Sequence, residues 1–195
     1  MLCNDYANRV AFAEYHAALR DGGMPIVAPL GPPNLEPRDD IWPSESAPIF
    51  RAAEGGVELA QLTWGLEPSS PKGRRVINFK SEGRSFANSK RCLVPASHFY
   101  EFKGSKPPKS KFKFSLAGAP WFCFAGLWRS SDEEGGNSSF TLLTTAPGPD
   151  VAEIHDRQMV VLRPADWQAW LELTRPEAEL LAPLPAESLL VEQVR

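Results

Sequence analysis

The sequence predicts a single α+β domain over residues 1–195, mainly β, with short strands forming a barrel-like core and a few peripheral helices. Three observations predict it. Nineteen prolines and 14 glycines in 195 residues are too many for a helix bundle. Seven short runs rich in β-branched and aromatic residues are bounded by Gly, Pro and Ser clusters. The chain is long enough to bury one sizeable core but not two, and no internal repeat divides it.

Residues 11–20 read as an amphipathic helix, with Phe12, Tyr15, His16 and Leu19 spaced i, i+3, i+4, i+7 and Asp21-Gly22-Gly23 as its stop. Residues 25–48 are proline-rich without periodicity and read as one meandering loop. Strands are predicted at 57–66, 75–79, 91–102, 111–116, 121–128, 139–145 and 159–162. Helices follow at 164–173 and 176–181, each opened by a proline in its first turn. Within 109–114 the order Lys-Ser-Lys-Phe-Lys-Phe puts three ammonium groups on one strand face, about 6.7 Å apart. That face suits either a phosphate backbone or an edge strand guarded by lysine.

The net charge of −3 conceals a strong asymmetry. Residues 72–113 carry twelve Lys or Arg against Glu82 and Glu101, a local charge of +10, and the remainder is −13. Such a block is either a solvated face or a surface that neutralises phosphates. No run approaches the roughly 18 apolar residues of a membrane span, and Asp5, Arg9 and Glu14 interrupt the N-terminus where a signal peptide would be apolar. The expectation is a soluble, cytoplasmic protein without a membrane partner. Cys3, Cys92 and Cys123 are odd in number and lack CxxC spacing, which argues against a disulfide framework or a zinc ribbon. Cys92 and Cys123 lie in apolar runs and read as inert core thiols.

Six motifs recur in one order: Cys3 near the start; Trp64-Gly65-Leu66; Asn78-Phe79-Lys80-Ser81-Glu82; the run from Arg91 to Glu101; Ala125-Gly126-Leu127-Trp128 with Thr141 to Thr145; and His155-Asp156-Arg157. Together, over residues 3–162, they resemble the SRAP family, the SOS-response-associated peptidase domain. The resemblance implies a DNA-damage function in which the domain binds single-stranded DNA and an N-terminal cysteine links covalently to the aldehyde of an abasic site. No cofactor and no metal are expected, and the chain is expected to act as a monomer. The chemistry is sound. An N-terminal cysteine carries an amine and a thiol on adjacent carbons, so an imine formed with the aldehyde is trapped by intramolecular thiol attack as a thiazolidine. An α-amine of pKa near 7.7 is neutral in roughly one molecule in six at pH 7, whereas lysine almost never is.

Matched position by position, the resemblance makes Cys3 the nucleophile, Asn78 the residue that orients it, Glu101 the acid/base and His155 a second proton-transfer group. Ring opening and carbinolamine dehydration both need protons moved. Lys80 and Arg157 match positions that meet phosphates. Arg84 and Arg91 are further candidates in the basic block, with Thr144 and Ser44 as polar contacts. Trp64 is a candidate stacking platform, although its apolar setting suits a core position equally well. Asn78 could equally cap a turn. The chain also departs from the family pattern. Cys3-Asn4-Asp5 stands for Cys-Gly-Arg, Phe79-Lys80 for Ala-Arg, Ser44 for threonine, Phe102 for tryptophan, and Gln158-Met159 for Met-Pro. Leu2 separates Met1 from Cys3, so the Cys3 amine is free only once both preceding residues are removed. Two other readings compete: a non-covalent single-stranded nucleic-acid-binding module, and a cysteine peptidase using Cys3, His155 and Glu101 on its own N-terminus.

Overall fold

A computed structural model of the chain describes residues 4–27, 35–68, 70, 72–130 and 138–195. The order is β1 (Tyr6–Asn8), α1 (Phe12–Asp21), β2 (Arg38–Ile41), β3 (Ser46–Ala53), β4 (Gly56–Trp64), β5 (Asn78–Lys80), β6 (Arg91–Ala96) and β7 (His98–Lys103). Then come β8 (Ser110–Leu116), β9 (Phe122–Arg129), β10 (Ser139–Thr145), β11 (Gln158–Met159), β12 (Val161–Leu162), a 3-10 turn at Pro164–Asp166, α2 (Trp167–Glu172), α3 (Glu177–Leu180) and β13 (Leu189–Gln193). The mainly β architecture with peripheral helices is the one the sequence predicts.

The strands form two sheets, one ordered β13-β8-β7-β1-β2 and the other β11-β10-β4-β3-β6-β9-β12, with β5 also on β10. In the second sheet β10 pairs antiparallel with β9 and parallel with β4, so the ladder returns on itself. The closure is partial. β10 meets β4 only at Ser139 and Phe140 and then β5 from Leu142 to Thr144, which makes the core barrel-like without a regular barrel.

Alternation explains why β9 reads as an unbroken apolar run. Phe122 and Phe124 enter a core shared with Tyr6, Trp64, Phe99 and Phe140, while Cys123 and Ala125 face a second core under α1 and α2. Burial pushes the Cys92 and Cys123 thiols well above their ordinary range, as inert core thiols require. Gly126 is demanded by close approach: a Cβ there would lie 2.8 Å from Cys92 Sγ and 3.2 Å from the Thr141 carbonyl.

Several sequence expectations are corrected. The run 91–102 is two strands in different sheets, because the chain turns at Ser97, whose N–H donates to the Ala7 carbonyl at 2.8 Å. The run 159–162 is likewise split. Val160 N–H donates to Leu143 and its carbonyl accepts from Ala125, so the chain crosses from β10 to β9 at that residue. Of 75–79 only the end is a strand, Val76 making a single bridge to Leu66. The meander 25–48 contains β2 and the start of β3, with 28–34 outside the described residues. The 109–114 segment alternates as read, but β8 is not an edge: β13 covers it from Leu189 to Gln193. The helix spacing is sound, with Tyr15 and Leu19 buried, Glu14 capping the Ala11 N–H, and Met24 N–H closing on Leu19.

β1 lies antiparallel to β7, Tyr6 opposite Phe99, and Tyr100 N–H donates to the Asp5 carbonyl at 3.1 Å. The Asp5 side chain is fully buried and meets Lys111 Nζ at 2.8 Å, the ammonium also lying 3.6 Å from the Tyr100 ring centre. Burial raises the Asp5 carboxyl above its ordinary range although Lys111 opposes the shift. Removing the cation takes away the charge that offsets burial of the Asp5 carboxyl, whereas removing the acid leaves Lys111 with Asp40 at 3.7 Å. Lys111→Met should therefore lower unfolding free energy by about 3–5 kcal/mol and Asp5→Asn by clearly less. Denaturant titration checks this, and an Asp5→Asn loss as large as that of Lys111→Met would refute it.

Candidate active site

Glu101 and His155, 54 residues apart in sequence, meet at one corner of the fold. Glu101 follows Phe99 on the core-facing side of β7 and is 1% exposed. His155 ends a tight turn in which the Ile154 and His155 N–H groups both donate to the Val151 carbonyl, at 2.8 and 3.0 Å. Buried Gln158 braces that turn by accepting from Gly148 N–H at 2.6 Å. His155 Nε2 lies 3.9 Å from Glu101 Oε2, near enough for an ion pair but too long for a direct hydrogen bond. His155 Nδ1 is 3.1 Å from Arg157 N–H and 2.9 Å from the Arg157 carbonyl. One residue's backbone thus offers Nδ1 a donor when it is bare and an acceptor when it is protonated, so the ring can exchange a proton without turning.

A cleft of about 740 Å³ opens at this corner, with His155, Asn4, Trp42, Phe102 and Ile154 among its walls. Cys3, the residue before Asn4, lies outside the described residues.

Arg157 reaches away from the cleft. Its guanidinium is paired with both oxygens of Glu82 and donates to the Thr144 carbonyl at 2.9 Å and the Thr144 hydroxyl at 3.0 Å. Thr144 is buried and its hydroxyl donates on to Phe79. The Asn78–Lys80 strand is thereby tied through β10 to the His155 turn, with Asn78 half-buried opposite Leu142 and Lys80 exposed opposite Thr144. Ser44 is exposed in a turn at a φ of 75°, its N–H donating to Trp64. Arg84 lies elsewhere, 5.5 Å over the Phe79 ring, in a second groove of about 660 Å³ that also holds Lys90, Trp128 and Arg129.

Three candidates are corrected. Thr144 has no exposed surface and cannot meet DNA, its hydroxyl being committed to Arg157 and Phe79. Trp64 has no exposed surface and cannot stack on a base; its indole N–H donates to Ile77 at 2.9 Å, which fixes the chain entering β5. Arg91 is a clamp on the C-terminus of α2. It donates to the Trp170 and Leu171 carbonyls at 2.9 and 3.0 Å and to Phe86 at 2.9 Å. Helix ends leave carbonyls unpaired, and Arg91 satisfies two of them. Burial lowers its pKa, as expected of a cation enclosed by the fold. Sequence reasoning misses the places of Asn4 and Trp42 in the cleft and the Asp5–Lys111 and Glu82–Arg157 pairings. Trp42 had a signal in its place beside Pro43 and Ser44; the ion pairs had none, since each joins distant segments. Among the described residues no cluster of three or more His, Cys, Asp or Glu is arranged to hold a metal ion, and no helix is long and apolar enough to cross a membrane.

A family model described as SOS response associated peptidase (SRAP) matches residues 2–195. The chain belongs to the SRAP family. It is 29% identical over 94% of its length to the abasic site processing protein YoqW of Bacillus subtilis, covering 89% of that protein. To YoaM of the same organism, also named an abasic site processing protein, it is 30% identical, with 82% of this chain and 78% of that one covered. A crystal structure of a protein from Bacteroides thetaiotaomicron superposes with a TM-score of 0.77 at 20% identity, covering 99% and 92% of the two chains. A phage-related protein from Bordetella bronchiseptica gives 0.71 at 25% identity, covering 99% and 94%.

In this SRAP chain the Glu82–Arg157 pair joins the segment after β5 to the His155 turn. The guanidinium holds the Glu82 carboxyl down to about 2 from its ordinary 4.5. A depressed carboxyl contributes stability that is complete above pH 4.5 and lost as pH falls toward 2. The stability advantage of wild type over Glu82→Gln should therefore shrink across that window. Because the Glu82 side chain is 46% exposed, solvent screening keeps the advantage small. Thermal unfolding of both proteins between pH 7 and 2 measures it, and a constant difference would refute the assignment.

Proposed function

We propose that this chain acts on abasic sites in single-stranded DNA and bonds them covalently through Cys3. The observation that carries the proposal is the Glu101–His155 pair, two proton-transfer groups 3.9 Å apart beside a cleft whose wall includes the residue next to Cys3. Membership of a family whose relatives are named for abasic site processing supports the same reading.

The proposed reaction has two steps. The Cys3 α-amine adds to the sugar aldehyde and the carbinolamine loses water to give an imine. The thiol then adds across the C=N bond, its proton passing to nitrogen, and a five-membered thiazolidine closes. Opening the sugar to its aldehyde and expelling water both require an acid near the reacting carbon. Glu101 supplies one proton site, shielded from solvent. His155 supplies another, with Arg157 ready to accommodate either state of the ring. Lys80 and Arg84 lie exposed as cations for the backbone phosphates.

The free amine is indispensable. With Met1 and Leu2 attached, the Cys3 nitrogen is an amide, and the thiol alone yields only a hemithioacetal that falls apart on denaturation. A protein beginning at Cys3 should give a crosslink to an abasic oligonucleotide that survives a denaturing gel, and its Cys3→Ala version should not. Intact Met1-Leu2-Cys3 protein, verified by mass, should give none. A denaturation-resistant adduct from that intact protein would overturn the thiazolidine chemistry, and DNA binding with no crosslink from either form would favour a non-covalent module.

Glu101→Gln should slow crosslinking by roughly 10²-fold or more while leaving affinity for undamaged single strands nearly unchanged. Single-turnover rates at saturating oligonucleotide make the comparison. An unaltered rate would remove Glu101 from the chemistry.

A further inference from the structure

We propose that Trp42 is a stacking platform for the nucleobase adjoining the abasic sugar, an inference that rests on the function proposed above. Trp42 is 41% exposed, and among the described residues it is the one aromatic among the large exposed apolar side chains. Trp64, Trp121, Trp167 and Trp170 are all buried, and Trp128 is half-buried with Arg51 and Lys90 over its ring.

The backbone that carries the exposed indole is firmly held. Trp42 N–H donates to Glu45 Oε2 at 2.7 Å, Glu45 N–H donates back to the Trp42 carbonyl at 3.1 Å, and Arg38 holds the same Glu45 carboxylate at 2.5 Å. Ser44 closes the turn with its positive φ and its bond to Trp64. A side chain carried on a fixed turn has less backbone freedom to lose when a ligand settles on it.

Its position selects the ligand. Trp42 shares the cleft with His155, and Phe102, Pro107 and Ile154 extend the apolar wall. Lys109 and Arg195 add positive charge at the same cleft against Asp156. Flat apolar surface beside cations suits a base attached to a phosphate backbone. The abasic site makes the fit specific, because the flanking base has lost its stacking neighbour and an indole can take the vacant place.

The test uses the full chain and fluorescence anisotropy with two single-stranded oligonucleotides. One carries a single tetrahydrofuran, a stable abasic analogue, between ordinary bases. In the other the bases on both sides of it are replaced by tetrahydrofuran as well. On the first, Trp42→Ala should weaken binding by roughly 5- to 150-fold and Trp42→Phe by only a few-fold. On the second, wild type and Trp42→Ala should bind alike, which also shows that the variant is folded. Equal affinity of wild type and Trp42→Ala on the first oligonucleotide overturns the inference while leaving the function intact, as does an equal loss on both. Failure of wild type to bind either one overturns the function and this inference together.

Discussion

The bend at Ser97 governs the rest of the architecture. On its N-terminal side β6 is an interior strand of the larger sheet, and on its C-terminal side β7 is an interior strand of the smaller one. Because β7 leaves the larger sheet there, it gains β1 as a neighbour, and Ser97 itself bonds both Ala7 and the Arg9 N–H. The alternation of β7 then faces Phe99 and Glu101 inward together, one into the aromatic core and the other at its margin. An acid placed there is shielded by the fold yet within reach of the 151–158 turn. A straight strand from 91 to 102 would have kept Glu101 in the larger sheet, away from β1.

The basic block illustrates how a sequence charge is divided between structure and surface. Arg91 clamps α2, Lys111 neutralises Asp5, and Lys113 pairs with Glu192. Arg75 is spent on Glu67 and on the Gly65 carbonyl. Two of the three lysines that alternate along 109–114 thus answer acids from β13 and from the segment before β1, so that face holds two sheet neighbours together. Lys72, Arg74, Lys80, Arg84, Lys90, Lys103 and Lys106 remain exposed in the same block, Arg84 and Lys90 at the second groove. A local charge of +10 therefore overstates the cation content available to any polyanion.

Local pattern was legible where local physics decides the outcome. The 3.6-residue spacing of Tyr15 and Leu19 located α1, and alternation with β-branched residues located β4, β8, β9 and β10 within a residue or two. What escaped was mostly decided by distant partners, β3 excepted: its eight residues pair with the neighbouring β4 but begin inside the proline-rich meander. β1, β2 and β13 are short, and each is a strand because another segment offers its edge: β13 exists as the partner of β8. Val160 lies in an apolar run that looks continuous, and only its bonds to both Leu143 and Ala125 reveal the crossing. In the site, Glu101 and His155 were legible through their motifs, but their proximity depends on the Ser97 bend and the Gly148–Gln158 brace. Trp64 and Arg91 show the converse error. An aromatic and a cation inside a recognised motif invite a binding role, yet full burial in one case and bonds to helix carbonyls in the other commit them to the fold.

The geometry also separates the two proton-transfer groups. Glu101 is enclosed at the margin of the aromatic core, where its carboxyl acts on the groups beside it with little screening by solvent. His155 stands on the cleft wall with a backbone that serves either ring state. In the proposed reaction the imine nitrogen is cationic when protonated, and a shielded carboxylate would stabilise that cation more strongly than solvent could. Release of water from the carbinolamine needs a donor able to renew its proton from solvent, a task suited to the less buried imidazole. The enclosed Asp5–Lys111 pair, two residues along the chain from Cys3, supplies a fixed attachment for that short segment. In the proposed reaction, the rate gained by holding reactants together depends on how firmly the chain at Asp5 is held.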